Sequence, residues 1–156
     1  MHAISLSALK FKRGEKFLEV GAGSGIVLAY AKEIVGEKGK VFGIEFVKET
    51  YEFAKENLKK AGYEKKVKMI HGDGSQGLPE EAPFDKVLIS AASPDVPEPI
   101  KRQVKVGGVV VAVIGPPQGD QDLIYFEKKK DGSWIKKNLG AVIFVPLVGK
   151  FGWKEF

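Results

Sequence analysis

Three acidic residues lie at or near the ends of short apolar runs and carry side chains that can bind a ligand. Glu19 lies two residues before the first glycine of the run LEVGAGSG at 18–25, Glu45 ends the run KVFGIE, and Asp73 lies in HGDGS at 71–75. A glycine-rich turn lets a ligand approach the backbone, and carboxylates accept hydrogen bonds or pair with cations. If these runs are parallel strands, their carboxyl ends meet at one edge of a sheet, where the three carboxylates would face a common ligand.

The spacing of the glycines argues against two common nucleotide sites. A dinucleotide site needs G-x-G-x-x-G, but Ile26 stands where the third glycine belongs and Gly25 comes one residue early. No Gly-Lys-Ser/Thr follows, so the turn does not match a phosphate-binding P-loop. Glu19 would repel a pyrophosphate but would favour a ligand that carries an amino group and a sulfonium. The pattern therefore favours S-adenosylmethionine as the cofactor.

The other two carboxylates suit the same ligand. Glu45 ends the second strand-like run, where a carboxylate can accept hydrogen bonds from both ribose hydroxyls. Asp73 ends the third run, within reach of an adenine amino group. The alternative is that each acid only caps a helix or forms a turn. Three acids in order at consecutive strand ends favour the ligand over that alternative.

Apolar runs that alternate with amphipathic stretches must position these residues. Runs rich in β-branched residues predict strands, and apolar residues at three- and four-residue spacings predict helices. The predicted strands are 16–20, 40–44, 67–70, 86–89 and 108–114, and the predicted helices are 26–35, 48–61 and 97–104. The last of these strands is continuously apolar, which is typical of a strand in a parallel sheet that is covered on both faces.

The C-terminal third of the chain lacks a long helix between its strand-like segments. These segments are 123–129, 134–137 and 141–145, and they predict an antiparallel end of the sheet. The expected fold class is α/β, a doubly wound, mostly parallel sheet with helices on both faces and an antiparallel C-terminal end. No linker or repeat interrupts the sequence, so one domain over 1–156 is expected.

Composition excludes several kinds of chemistry. The 156 residues include no cysteine, which rules out thiolate catalysis, and only His2 and His71 are available as histidine ligands, too few for an ordinary zinc site. The net charge of +5 comes from lysines spread over many segments, so a solvated surface is favoured over a nucleic-acid site. No apolar run approaches the roughly 20 residues that cross a bilayer. We expect a cytoplasmic protein.

Five short motifs are spread along the chain: LEVGAGSG at 18–25, HGDGS at 71–75, APFD at 82–85, PEP at 97–99 and FVPLVG at 144–149. Many methyltransferases share LEVGAGSG, whereas PEP followed by FVPLVG points to one family. On these motifs, the sequence resembles the protein-L-isoaspartate O-methyltransferases along essentially its whole length. That family uses S-adenosylmethionine to esterify the carboxylate of isoaspartyl residues and so begins the repair of damaged proteins.

The resemblance implies roles for particular positions. The implied cofactor contacts are His2, Glu19, Gly21, Gly23, Ser24, Gly25, Glu45, Phe46, Asp73 and Gly74. The implied substrate contacts, which border the peptide pocket, are Ala91, Ala92, Val145, Pro146 and Leu147. For the Val-Pro-Leu run, a buried final strand is an equally good interpretation. The implied partners are isoaspartyl peptides and proteins, with the chain acting as a monomer or a weak homodimer.

The start of the sequence departs from the family pattern. Family members have a longer N-terminal region leading into Ser-Ala-Pro-His-Met-His, whereas this sequence begins at the last Met-His, as Met1-His2. The family's active-site Ser or Thr lies just upstream and has no counterpart here. A natural short protein, a shortened chain or a misassigned start would each explain this. We expect such a chain to bind the cofactor better than it turns over and to self-associate through exposed apolar surface.

No catalytic base or metal is expected. A carboxylate nucleophile is already ionised at neutral pH and a sulfonium is already an activated leaving group, so catalysis would rest on alignment and exclusion of water. Two alternatives remain at the level of sequence. One is a methyltransferase of the same fold that acts on a small molecule or RNA, and the other is a non-catalytic module that only binds S-adenosylmethionine.

Overall fold

A computed structural model describes residues 2–154 of the chain. Four helices and seven strands follow one another along it, and two short 3-10 turns, Gly74–Gln76 and Pro79–Glu81, lie between β3 and β4. The elements in chain order are α1 (His2–Leu9), β1 (Lys16–Val20), α2 (Ile26–Val35), β2 (Lys40–Glu45), α3 (Lys48–Lys60), β3 (Lys68–His71), β4 (Phe84–Ser93), α4 (Glu98–Gln103), β5 (Val104–Ile114), β6 (Gln121–Lys128) and β7 (Trp134–Val142).

The strands form one sheet in the order β3-β2-β1-β4-β5-β6-β7. Strands β1 to β5 pair in parallel, whereas β5, β6 and β7 pair antiparallel, so the predicted fold class and its antiparallel end are confirmed. The chain runs outward from β1 to β3 and then returns to place β4 on the other side of β1. In open sheets of this kind, ligands bind at the carboxyl ends of the strands where the order reverses.

Alternation along each strand sends side chains to two separate cores. Phe17 packs in the core under α1, α2 and α3, whereas its neighbour Leu18 packs in the core on the face that carries α4. Val109 and Val110 divide between the two cores in the same way. Both faces of the central strands are therefore covered, which explains why their sequences are continuously apolar.

Several element boundaries differ from the sequence-based prediction. Helix α1 was not predicted, because its apolar residues lie all round the helix rather than on one face. The helix predicted at 97–104 ends at Gln103, because Val104 already pairs with Phe84 at the start of β5. Strand β4 is longer than 86–89 and continues to Ser93.

The predicted strands 134–137 and 141–145 are wrong as separate elements. Residues 134–137 and 141–142 are parts of the single strand β7, and 143–145 lie beyond its end. The strand contains a bulge at Leu139, between the pairs formed by Asn138 and Gly140. The backbone N–H of Gly140 donates to Asn138 Oδ1 at 2.8 Å, and Gly140 has a φ of 124°. Asn and Gly read as a turn in sequence, but here they make a bulge that lets the strand continue.

Within residues 2–154, no helix combines the length and apolar character needed to cross a membrane.

Candidate functional site

A cavity of about 460 Å³ opens at the carboxyl ends of β1, β2 and β4. Nine of the residues that the sequence singled out line it, and most of its surface is apolar. These nine are Gly21, Gly23, Glu45, Phe46, Gly74, Ala91, Val145, Pro146 and Leu147. The cavity thus lies at the point where the strand order reverses, as expected for a ligand site in a doubly wound sheet.

The glycine-rich turn forms one wall of the cavity. Gly21, Gly23 and Gly25 have φ values of 78°, 54° and 82°, which L-residues with a Cβ rarely adopt. The N–H of Gly21 donates to Ile44 O at 2.9 Å, and a Cβ at Gly21 would lie 3.4 Å from Ser90 O. The turn therefore lies close to the ends of the neighbouring strands β2 and β4. It leads directly into α2, whose first N–H groups have no partner within the helix and point out from its N-terminus.

Glu45 joins the glycine-rich turn to the loop before α3. Its Oε2 accepts a hydrogen bond from the N–H of Gly23 at 3.0 Å, and its Oε1 accepts one from the N–H of Val47 at 3.1 Å. The residue is largely buried and also lines the cavity. A carboxylate has about four lone-pair sites, so each oxygen keeps one lone pair that can accept a hydrogen bond from a hydroxyl of a bound ligand.

Glu19 is a buried carboxyl group directly behind the cavity wall. It is 2% exposed, and its Oε1 accepts a hydrogen bond at 3.0 Å from the hydroxyl of Ser90, which lines the cavity. Its Oε2 has no hydrogen-bond partner among the described residues. A buried acceptor without a partner is costly unless a ligand supplies a donor or a positive charge.

The environment of Glu19 also changes its acidity. Burial raises the pKa of Glu19 to about 8; the Ser90 hydrogen bond opposes this shift, and the negative charge of Glu45 adds to it. In the ligand-free protein, Glu19 therefore holds its proton near neutral pH. A cation bound in the cavity would favour the ionised form.

Asp73 does not line the cavity, although its neighbour Gly74 does. The Asp73 carboxylate accepts four hydrogen bonds from protein donors, which leaves it no lone pair for an adenine amino group in this conformation. Gly74 packs against the side chain of Val20, where a Cβ would collide. The contact of Asp73 with a cofactor stays a prediction.

The other residues singled out from the sequence are not part of the cavity lining. His2 is exposed in the first turn of α1, and neither Ser24 nor Gly25 is part of the lining. Ala92 is buried and supports the rim through its backbone: its N–H donates to Val145 O, and its carbonyl accepts from the N–H of Leu147, both at 2.8 Å. The run 145–147 is therefore fixed to the end of β4, and the exposed fraction of Val145 is 71%. Val145 is not a residue of a buried final strand.

Sequence reasoning assigned no role to six residues that line the cavity. Val20 and Ile44 lie in β1 and β2, and the other four are Val47, Thr50, Ser90 and Val148. Ser90 carried a readable signal, because it is a hydroxyl directly after the predicted strand 86–89 and directly before Ala91. Val47, Thr50 and Val148 line the cavity because of how α3 and the C-terminal segment approach the sheet, which local sequence does not determine.

Comparisons with known proteins agree with this geometry. The family model of the protein-L-isoaspartate(D-aspartate) O-methyltransferases (PCMT) matches residues 1–152. A protein-L-isoaspartate O-methyltransferase of Methanococcus aeolicus is 50% identical over 153 residues, which cover 98% of this chain and 69% of that protein. One of Thermococcus onnurineus is 44% identical over 155 residues, which cover 99% of this chain and 70% of that protein.

Solved structures of similar proteins have the same fold. A protein-L-isoaspartate O-methyltransferase structure superimposes with a TM-score of 0.87 at 31% identity, over 97% of this chain and 47% of that one. A Plasmodium falciparum protein, described as a protein-L-isoaspartate O-methyltransferase in complex with S-adenosyl-L-homocysteine, gives a TM-score of 0.79 at 30% identity, over 95% of this chain and 73% of that one. These similarities confirm the resemblance that the motifs predict.

Proposed function

The chain belongs to the protein-L-isoaspartate(D-aspartate) O-methyltransferase family, and on that premise we propose that it transfers the methyl group of S-adenosylmethionine to the carboxylate of L-isoaspartyl residues in damaged proteins. The observation that carries this proposal is the unpaired Oε2 of Glu19 behind an apolar cavity at the carboxyl edge of the sheet. A buried carboxyl group suits a ligand that carries both positive charge and apolar surface. S-adenosylmethionine has both.

The residues of the cavity suit the parts of this donor. Glu45 has free lone pairs for the ribose hydroxyls, and the exposed ring of Phe46 beside it offers an apolar surface to the adenine. Gly21 and Gly23 keep the wall free of side chains where the donor must approach the backbone. Glu19 supplies negative charge on the side where the amino-acid part and the sulfonium would lie. When bound, the donor supplies an activated methyl group on a positively charged sulfur.

The protein's part in the reaction is to align the acceptor and to keep water out. The isoaspartyl carboxylate is ionised at neutral pH, so no side chain has to remove a proton from it. The run 145–147 and Ala91 form the rim that we assign to the acceptor. Because this rim is apolar, it would remove water from around the carboxylate and hold it in line with the methyl group.

We propose protein, rather than nucleic acid, as the acceptor. Among the described residues that line the cavity, none is Lys or Arg. A groove for RNA would need such residues to contact phosphates. We further propose that the chain works in the cytoplasm as one domain over 1–156, as a monomer or a weak homodimer, with His2 near the donor.

Two measurements, made one after the other, test the proposal. Calorimetric titration with S-adenosylhomocysteine should give saturable binding with one site per chain. Methylation of an isoaspartyl peptide, with the matched aspartyl peptide as the control, should then be detected for the isoaspartyl form alone. Binding without transfer to any carboxylate would support the non-catalytic module instead. Transfer to RNA or a small molecule but not to the peptide would exclude the proposed acceptor.

A further inference from the structure

Ile143 and Phe144 connect the end of β7 to the rim at 145–147. Ile143 and Val145, on either side of Phe144, are 89% and 71% exposed, so their side chains contribute little packing. Phe144 itself is half-buried against the core under α1, α2 and α3. The position of this segment therefore rests on few packing contacts, and hydrogen bonds to its backbone become important.

The side chain of Gln121 binds both backbone groups of Phe144. Its Oε1 accepts a hydrogen bond from the N–H of Phe144 at 2.7 Å, and its Nε2 donates to the carbonyl oxygen of Phe144 at 3.2 Å. Because a backbone N–H can only donate, these partners fix the orientation of the amide. Gln121 is the first residue of β6, and it pairs with Val142, the last residue of β7. The side chain thus extends the ladder two residues beyond the end of β7.

Gln121 is itself held by the loop that precedes it. Its Nε2 also donates to the carbonyl oxygen of Pro116 at 2.9 Å, in the loop between β5 and β6. The N–H of Gly115, at the start of this loop, donates to the carbonyl oxygen of Ser93 at the end of β4 at 3.0 Å. A Cβ on Gly115 would lie 2.8 Å from the Cα of Gln121, so the loop packs closely on this residue. Gln121 therefore connects Phe144 to the ends of the central strands.

Burial makes the three hydrogen bonds of Gln121 difficult to replace. The residue is 3% exposed, and its amide uses three of its four hydrogen-bonding positions. An apolar side chain in its place would leave the N–H of Phe144 and the carbonyl oxygen of Pro116 without these partners, which costs free energy in a buried position. Because its neighbours are exposed, Phe144 could recover a partner for its N–H by moving toward water. The rim that follows would then move with it.

We propose that Gln121 is a positioning residue for the acceptor: by holding Phe144, it fixes the start of the rim at 145–147 beside the cavity. The assignment of this rim to the acceptor rests on the proposed function. The backbone of Ala92 supports the rim from the side of β4, because its N–H donates to Val145 O at 2.8 Å. Gln121 supplies a second support, from the side of β6.

The rim needs both supports to present one surface to the acceptor. If the rim is in place in only a tenth of the molecules, the apparent affinity for the acceptor falls tenfold. Saturating peptide draws the rim back into place, so kcat is retained. The proposed donor contacts Glu19 and Glu45 lie in β1 and β2, away from Gln121, so the affinity for the donor is retained as well.

Gln121→Met tests this inference, because it removes all three hydrogen bonds and keeps a side chain of similar length. We expect KM for the isoaspartyl peptide to rise about tenfold, with kcat and the Kd of S-adenosylhomocysteine changed less than about threefold. Gln121→Asn keeps an amide but is one methylene shorter, so it cannot keep all three bonds and should also raise KM. It is the milder change and keeps the test available if Gln121→Met does not fold.

Gln103→Met is the matched control. Gln103 is also a buried glutamine bonded to the backbone of a loop: its Oε1 accepts from the N–H of Leu78 at 2.8 Å, and its Nε2 donates to Gln76 O at 2.9 Å. Both Met variants should lower the urea midpoint of unfolding by similar amounts, but Gln103→Met should leave the peptide KM unchanged. An equal rise of KM in the two variants would assign the effect to general loosening of the fold and would overturn the inference.

Hydrogen exchange of the Phe144 amide reports on the anchoring without activity. In the wild type this amide should exchange slowly, although it lies beyond the end of β7, because the buried Oε1 of Gln121 accepts its hydrogen bond. Gln121→Met should speed its exchange about tenfold relative to Gln103→Met. The comparison with Gln103→Met removes the part of the exchange that comes from a lower global stability.

The outcomes separate this inference from the proposed function. A wild-type Phe144 amide that exchanges as fast as in an unfolded chain would show that Gln121 does not hold the segment. Faster exchange in Gln121→Met with an unchanged peptide KM would show that the segment does not position the acceptor. Either result overturns the inference. If the wild-type chain binds S-adenosylhomocysteine but methylates no isoaspartyl peptide, the proposed function fails together with the acceptor role of the rim, and exchange of the Phe144 amide still decides whether Gln121 anchors the segment.

Discussion

At the scale of single residues, Glu19 combines two properties that stability alone would not favour. It is buried with one oxygen unpaired, and it lies in the first strand of the central sheet, where an apolar residue would pack better. Folding must therefore keep this carboxyl group protonated or meet the cost of burying its charge. Buried ionisable groups that cost stability and lie next to a cavity are expected at binding sites.

Glu19→Gln should stabilise the ligand-free protein at alkaline pH. In the folded chain Glu19 has a raised pKa of about 8, whereas in the unfolded chain it ionises near 4.5. The folded state then binds more protons between these values, so the wild type loses free energy of unfolding as pH rises from about 4.5 to about 8, by up to about 1.4 kcal/mol per pH unit. Gln does not titrate. In urea unfolding, the free energy of unfolding of the variant minus that of the wild type should be larger at pH 8 than at pH 5.

The control for this prediction is Glu64→Gln, since Glu64 is an exposed carboxylate. It should change the free energy of unfolding by a similar small amount at both pH values. A Glu19→Gln variant whose difference from the wild type is the same at pH 5 and pH 8 would contradict the raised pKa.

The same substitution should weaken donor binding selectively. S-adenosylmethionine carries a sulfonium charge that S-adenosylhomocysteine lacks, so loss of the Glu19 charge should cost the cationic ligand more. We expect about a tenfold larger Kd for S-adenosylmethionine, which corresponds to about 1.4 kcal/mol, and a smaller change for S-adenosylhomocysteine. Calorimetry with both ligands measures this. Equal losses of affinity for the two ligands would show that Glu19 does not interact with the sulfonium charge.

At the scale of elements, α1 contributes to the core although no feature of its sequence marks it as a helix. Leu9 is fully buried, and Phe11, two residues beyond the end of the helix, meets Phe17 edge-on with a distance of 5.0 Å between ring centroids. The helix contacts β4, β5 and α2, so it covers the centre of the sheet. Its stability comes from this tertiary packing rather than from helix propensity, as is usual for a helix of eight residues.

Leu9→Ala should destabilise the chain by about 2–5 kcal/mol, because it removes a fully buried side chain and leaves a cavity against the sheet. Ile4→Ala is the matched control on the same helix, since Ile4 is 52% exposed, and it should change stability by less than about 0.5 kcal/mol. Urea unfolding followed by circular dichroism measures both. Similar small losses for the two variants would mean that α1 is not packed on the sheet as described.

At the scale of the whole molecule, the sheet order brings three distant loops to one edge. The glycine-rich turn follows β1, Glu45 ends β2, and Ala91 lies near the end of β4, next to the reversal of strand order. The donor would contact the glycine-rich turn and Glu45, which belong to different βα units, so binding would stabilise the folded state as a whole. Ligand binding and global stability are therefore linked.

S-adenosylhomocysteine at 100 times its Kd should raise the free energy of unfolding by about 2.7 kcal/mol. Glu45→Ala removes the acceptor proposed for the ribose and should weaken binding about tenfold, so that at the same ligand concentration the gain falls to about 1.4 kcal/mol. Urea unfolding with and without ligand measures both gains, and Glu64→Gln should keep the full gain. An unchanged gain in Glu45→Ala would remove Glu45 from the donor site.

The sequence by itself determined the features that depend on neighbouring residues. Local patterns of apolar residues and glycines predicted the alternation of strands and helices from β1 to β5 and the glycine-rich turn. They also predicted that Glu19 and Glu45 lie at the ends of strands. The doubly wound class followed because parallel strands joined by helices allow few arrangements, whereas the order of the strands in the sheet came from the structure. Composition and motifs were therefore enough to predict the fold class, and they led to the family.

Only the tertiary structure decided the contacts between segments far apart in the chain. The hydroxyl of Ser90 reaches Glu19 across 71 residues, and the N–H of Lys150 reaches Asp73 across 77. The sequence does not show either pairing, because a hydroxyl or a backbone N–H is available at many positions and only the packing of the sheet brings one to each carboxylate. For the same reason α1 and the continuous strand β7 were not predicted: each is stabilised by what it packs against, and local propensity does not carry that information.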